Sequence, residues 1–179
     1  MRKLNYKRRI TLSEPGVLTK KMAQEKLSVA TPKQRIINEN IKEIFLVANT
    51  IESEIARYLI EYFIAEEEGG KRDQFSREIV LTSSFSFNAK KVAYLRLLKE
   101  TSTITGAEYA EFDKILSRFI KVRNALTHGH ISYRDNDFIV EYHEGVKMTK
   151  VLDDSYWKEV DNYVKNCLLY TSPSPRDRG

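Results

Sequence analysis

The residues whose types and spacing could do chemistry lie in one short string, Arg123-Asn124-Ala125-Leu126-Thr127-His128-Gly129-His130. A guanidinium is always charged and offers a fork of donors to a phosphate, whereas an imidazole titrates near neutrality and can take or give a proton. Together they suit attack of a ribose 2′-hydroxyl on its own phosphate, a reaction that needs proton transfer and charge stabilisation but no metal. Five residues on an ideal helix set Arg123 and His128 about 140° apart, on neighbouring flanks. They converge if the helix ends at His128 or if a second copy faces the first. A purely structural reading stands beside this one, with Arg123 paired to a carboxylate and His128 capping the last helical carbonyls.

Weaker candidates for contact with RNA are Arg8, Arg9, Lys121 and His130. His130 and His143 read first as ordinary polar residues. A His128–His130 pair lacks a visible third metal ligand, and a single cysteine cannot build a thiolate zinc site. We therefore expect no metal and no cofactor. Glu52, Glu54 and Asn49 could reach a cleft across a dimer, but nothing in the sequence ranks them. The acidic run Glu66–Glu68 is most simply a solvated helix end.

The elements that must position the string follow from periodicity. Ile37, Ile41, Ile44, Ala48, Ile51, Ile55, Tyr58 and Tyr62 recur at alternating spacings of four and three, the stripe of a long helix. Thr31 and Pro32 suit its start, and Gly69-Gly70 its stop. Phe45, Val47, Leu59, Phe63 and Ile64 widen the stripe, which implies packing within a bundle and against a second copy. A short helix is expected over Gln74–Leu81, then one capped by Asn88 with Val92, Leu95 and Leu98 inward. Phe112, Ile115, Leu116, Phe119, Val122 and Leu126 mark the helix that carries the string and ends before Gly129. Beyond it the period changes to two, with Asp135-Asn136-Asp137 and Glu144-Gly145 as turns of a small β-hairpin or meander. Asp153-Asp154-Ser155 caps a last helix with Trp157, Val160 and Val164 inward. The fold class is mainly α: an antiparallel helical bundle of four to five helices carrying a small β-hairpin between the motif helix and the last helix.

The RNxxxH string on a late helix of such a bundle, preceded by Phe119-Ile120-Lys121-Val122 and followed by Gly129, resembles the HEPN domain family. The likeness covers roughly residues 33–166, of which the six-residue motif and the helix order are specific. It implies a homodimer whose two motifs line one cleft, and metal-independent endoribonuclease activity of the kind found in toxin–antitoxin, abortive-infection and phage-defence systems. Carried over by position, Arg123 would bind and polarise the scissile phosphate, His128 would transfer protons, and Asn124 would orient His128 or the phosphate. One subgroup carries a Tyr two residues after the His, where its antitoxin modifies it. This chain has His130 there, which places that regulatory scheme in doubt. The competing function is a non-catalytic module of the same family that binds a protein partner, RNA or a nucleotide. A third reading is a helical scaffold that oligomerises through its first long helix.

Charge and composition bound these readings. The 179 residues carry a formal net charge of +5, with 41% hydrophobic and 11% aromatic residues, enough apolar surface for one folded domain. The basic excess sits in residues 1–35, which hold ten Lys or Arg against Glu14 and Glu25. Residues 1–32 are accordingly read as a basic, flexible arm and 33–166 as the helical domain. No apolar run reaches the roughly 18 to 20 residues of a membrane span, and the amino-terminal MRKLNYKRRI lacks a secretory hydrophobic stretch. A cytoplasmic protein without membrane contact is expected, with RNA and an antitoxin or other protein as partners. Finally, Cys167 to Asp177 matches, residue for residue, one reading frame of a transposase adapter used to build sequencing libraries. Residues 167–179 are therefore read as a translated adapter.

Overall fold

A long first helix, α1 (Lys20–Phe63), opens the computed structural model, which describes residues 20–64, 69–82 and 84–171. There follow α2 (Gly69–Phe75), which passes into a π-helical turn at Ser76–Val80, then α3 (Phe87–Glu100) and α4 (Gly106–His128). Strands β1 (His130–Arg134), β2 (Asp137–Glu144) and β3 (Val146–Val151) lead into α5 (Asp154–Thr171). The protein is thus mainly helical with a small antiparallel sheet of order β1-β2-β3. Among the described residues, no helix is long and apolar enough to cross a membrane.

Helix boundaries differ from the periodicity reading at three places. Pro32 lies inside α1 instead of at its start. Lys20–Thr31 is rich in Ala, Leu, Met, Lys, Glu and Gln, whose helix propensity outweighs one interior proline. At its other end α1 stops at Phe63, and Gly69 opens α2 where a stop was expected. Ser86 rather than Asn88 caps α3: Ser86 is extended at ψ 159° and its hydroxyl accepts from the Ala89 N–H at 3.3 Å. Asn88 then falls one residue inside the helix, where a side-chain cap has no orphan N–H to serve. The Asp153 cap of α5 is as read, its carboxylate accepting from Tyr156 N–H at 2.8 Å.

The described chain divides into two units. One comprises residues 43–123 and 158–171. Its core takes Ile44, Ala48, Ile51, Ile55, Tyr58 and Leu59 from α1, Tyr94, Leu95 and Leu98 from α3, Phe112, Leu116 and Phe119 from α4, and Val160 and Tyr163 from α5. Aromatic rings run through it edge to face, Tyr58 on Tyr94 at 4.9 Å and Tyr94 on Phe112 at 6.3 Å, and Phe112 stacks on Tyr170 at 4.4 Å. Tyr62, Phe63 and Val92, expected inward, are exposed. In their place α3 buries two lysines. Lys90 bonds to Glu52 of α1 at 2.5 Å, and Lys91 to Asp113 and Ser117 of α4 at 2.7 Å each. Arg118 donates to Tyr163, which in turn donates to Glu159; burial and the Glu159 carboxylate push the Tyr163 hydroxyl above its ordinary value.

α5 continues past Asn166 to Thr171, burying Cys167, whose thiol burial pushes up to about 12. An apolar run at helical spacing packs in this way whatever its origin.

The other unit comprises residues 20–42 and 124–157. Asp135 and Asn136 both take positive φ, 50° and 69°, so β1 and β2 join through a two-residue turn whose twist matches the strands. Arg134 pairs with Asp137 across it, and Lys33 of α1 clamps it, donating to Asn136 O at 3.0 Å. Gly145, at φ 74°, makes the turn into β3. Tyr133, Phe138 and Val140 are buried with Ile37 and Ile41 of α1 as this unit's core.

The Lys90–Glu52 pair generates a stability prediction. Removing one partner of a buried pair strands the other's charge. Glu52→Gln is expected to cost about 3 kcal/mol in urea unfolding, whereas replacing both partners with apolar residues of similar volume should cost much less.

Candidate functional site

α4 delivers the RNALTH string on its final turns. Asn124 and His128 are one turn apart and both exposed, so they share a face of the helix. Arg123 is half-buried and sits about 100° around the axis from Asn124. Lys121 is exposed on the same helix. His128 is the last helical residue. The division between units falls between Arg123 and Asn124, so Asn124, His128 and His130 belong to the unit that holds the sheet.

Gly129 fixes how α4 hands over to β1. Its N–H still bonds to Ala125 O at 2.8 Å, closing the last helical turn. A Cβ there would overlap Ala125 O, lie 2.7 Å from Val140 Cγ2 and 3.0 Å from Glu141 O. The helix ends before Gly129, and Gly129 does not have positive φ. The Ala125 carbonyl of the last helical turn, together with the close approach of β2, is what requires glycine.

His130 opens β1 directly opposite Glu141 of β2. The Glu141 carboxylate is also bonded to Lys147 of β3 at 3.0 Å and Arg134 of β1 at 3.4 Å. These cations hold the Glu141 carboxyl below its ordinary value, Lys147 through its hydrogen bond foremost, with Arg134 and His130 adding through charge. His143 lies opposite Lys147 on the neighbouring pair of strands. Strand alternation therefore gathers His130, Arg134, Glu141, His143 and Lys147 on one face of the sheet. Sequence inspection did not find this cluster, because its members pair through register and not through local spacing. The two-residue turn, which sets the register, was the available signal.

Other candidates fall elsewhere. Glu52 and Glu54 are committed to ion pairs, with Lys90 and Arg57 respectively, and Asn49 is exposed on α1. Arg8, Arg9 and the run Glu66–Glu68 lie outside the described residues. Among the described residues, no group of three or more His, Cys, Asp or Glu side chains is placed to hold a metal ion.

Two outcomes are expected from this geometry. Gly129→Ala should destabilise the protein by about 2 kcal/mol in chemical denaturation, through overpacking against backbone and Val140. For Glu141 the folded carboxyl is lowered from an ordinary 4.5. Its pairing therefore stabilises the fold above that value and is lost as pH falls through the folded one. Thermal melts of Glu141→Gln should lie below wild type at pH 7 and converge with it in acid.

No protein-family model, curated protein or solved structure matches the chain.

Proposed function

We propose that this chain is a metal-independent endoribonuclease of the HEPN type, active as a homodimer in which two RNxxxH motifs line one cleft. One observation carries the reading: Asn124 and His128 stand exposed, one turn apart, at the very end of a helix that also bears Arg123. An exposed helix end gives an RNA backbone access to the imidazole, and Asn124 would orient His128 or the phosphate. Arg123 contributes the charge that a developing phosphorane requires. In the reaction the ribose 2′-oxygen bonds to the adjacent phosphorus while the bond to the 5′-oxygen breaks. The 2′-hydroxyl proton is removed and the leaving 5′-oxygen gains one, with His128 serving in this transfer. The products are a 2′,3′-cyclic phosphate and a 5′-hydroxyl end. An effector of this kind fits a toxin or phage-defence system in which a partner protein restrains it.

The half-buried, already engaged state of Arg123 favours a second reading, a non-catalytic HEPN module that binds RNA, a nucleotide or a protein. Cleavage of RNA in EDTA separates the two. Wild-type protein should cut, while folded, dimeric His128→Ala and Arg123→Ala should each lose at least about a hundredfold in rate. Equal inertness of all three proteins would reject the nuclease in favour of the binding module. Cleavage that survives in both variants would remove the motif from the mechanism.

A further inference from the structure

β3 is an edge strand whose outward peptide groups can be identified. Leu152 N–H donates to Phe138 O at 2.8 Å, which makes 138 and 152 a hydrogen-bonded pair beside the ladder. Bonded and non-bonded pairs alternate in an antiparallel ladder, so Val140–Lys150, Tyr142–Met148 and Glu144–Val146 are the bonded pairs of β2 and β3. The peptide groups of Lys147, Thr149 and Val151 therefore point away from the sheet. Among the described residues, no backbone group outside the sheet bonds to them. The strand is open in its side chains too, with Val146 65% and Val151 42% exposed, and Lys147, Thr149 and Lys150 also exposed.

Charge selects the occupant. Val146-Lys147-Met148-Thr149-Lys150-Val151 holds two lysines and no carboxylate. Pairing with a second copy of β3 would gather four lysines in one ribbon without a neutralising group on either strand. Edge lysines commonly keep sheet edges apart in this manner. A partner strand must therefore bring carboxylates. Lys147 and Lys150 lie on opposite faces of the sheet, so the complementary acids stand three residues apart, one per face. Val146, Met148 and Val151 ask for apolar residues opposite them. Lys147 already bonds to Glu141, but an ammonium has three donors and can hold a second carboxylate.

We infer that β3 docks an extended, acidic segment of a partner protein as a fourth antiparallel strand, with carboxylates at positions i and i+3 between apolar residues. Main-chain bonds to Lys147, Thr149 and Val151 supply the affinity, and the two lysines the selectivity.

The probe is the peptide Val-Glu-Thr-Val-Glu-Val, compared with Val-Lys-Thr-Val-Lys-Val, titrated into the full isotope-labelled chain and followed by amide NMR. Saturable shifts at Lys147, Thr149 and Val151 are expected with the acidic peptide, and binding about tenfold weaker with the basic one. Thr149→Pro should abolish the response, since proline there removes an outward N–H and no bond to β2. Lys150→Glu should weaken the acidic peptide and strengthen the basic one, a reversal that loss of folding would not produce. Equal response to both peptides, shifts confined to other residues, or no saturable shift would overturn the inference. A concentration-dependent dimer, seen by sedimentation and abolished by Thr149→Pro, would overturn it in favour of a second copy as occupant.

Discussion

At position 129 there is no room for a side chain: a single methyl group would meet the carbonyls of Ala125 and Glu141 and the methyl of Val140. This close approach turns α4 into β1 without an intervening loop, and much of the sheet-bearing unit depends on it. The chain leaves a helical turn closed by the Gly129 N–H and enters a strand one residue later. His128 and His130 therefore bracket the junction, one on the helix end and the other on the sheet. A longer linker would have let these two imidazoles wander relative to the strand; a glycine under contact on two sides does not.

From that fixed start the sheet is determined step by step. Asp135 and Asn136 accept positive φ, which sets a two-residue turn and with it the pairing of His130 with Glu141. Gly145 carries the register on to β3. The outcome is a polar face in which one carboxylate pairs with Arg134 and Lys147 opposite His130, and an outer strand left open along its backbone. The same geometry that brings cations around Glu141 also leaves Lys147 with spare donors at the sheet's rim.

In the unit formed by residues 43–123 and 158–171 a different constraint operates. Two consecutive lysines of α3 leave solvent, and each finds a carboxylate on a different helix, Glu52 on α1 and Asp113 on α4. Desolvating two ammonium groups is costly, and their partners offset that cost only at one relative placement of the helices. Apolar packing of the buried Ile51, Leu98 and Phe112 tolerates sliding more readily than these pairs do.

Much of the fold was legible in the sequence because local period and capping chemistry are local properties. The 3.6-residue stripe of α4, the cap of α5 within Asp153-Asp154-Ser155 and the strand alternation after Gly129 all depend on neighbours within a few residues, as does the turn read at Asp135-Asn136-Asp137, of which Asp137 instead opens β2. What tertiary structure alone decided depends on residues far apart in the chain. Ser86 displaces Asn88 as a cap because α3 already begins at Phe87, a residue buried in the fold. Lys90 and Lys91 are inward because carboxylates arrive from other helices, and Val92 lies outside the face that these lysines share with Tyr94, Leu95 and Leu98. Gly129 is a glycine because a Cβ there would meet the Ala125 carbonyl of its own helix and, from β2, Val140 and Glu141, and it is the β2 part of that crowding that the local pattern does not contain. Each of these outcomes is set by a neighbour that the one-dimensional pattern does not contain, and by the desolvation or contact energy that neighbour brings.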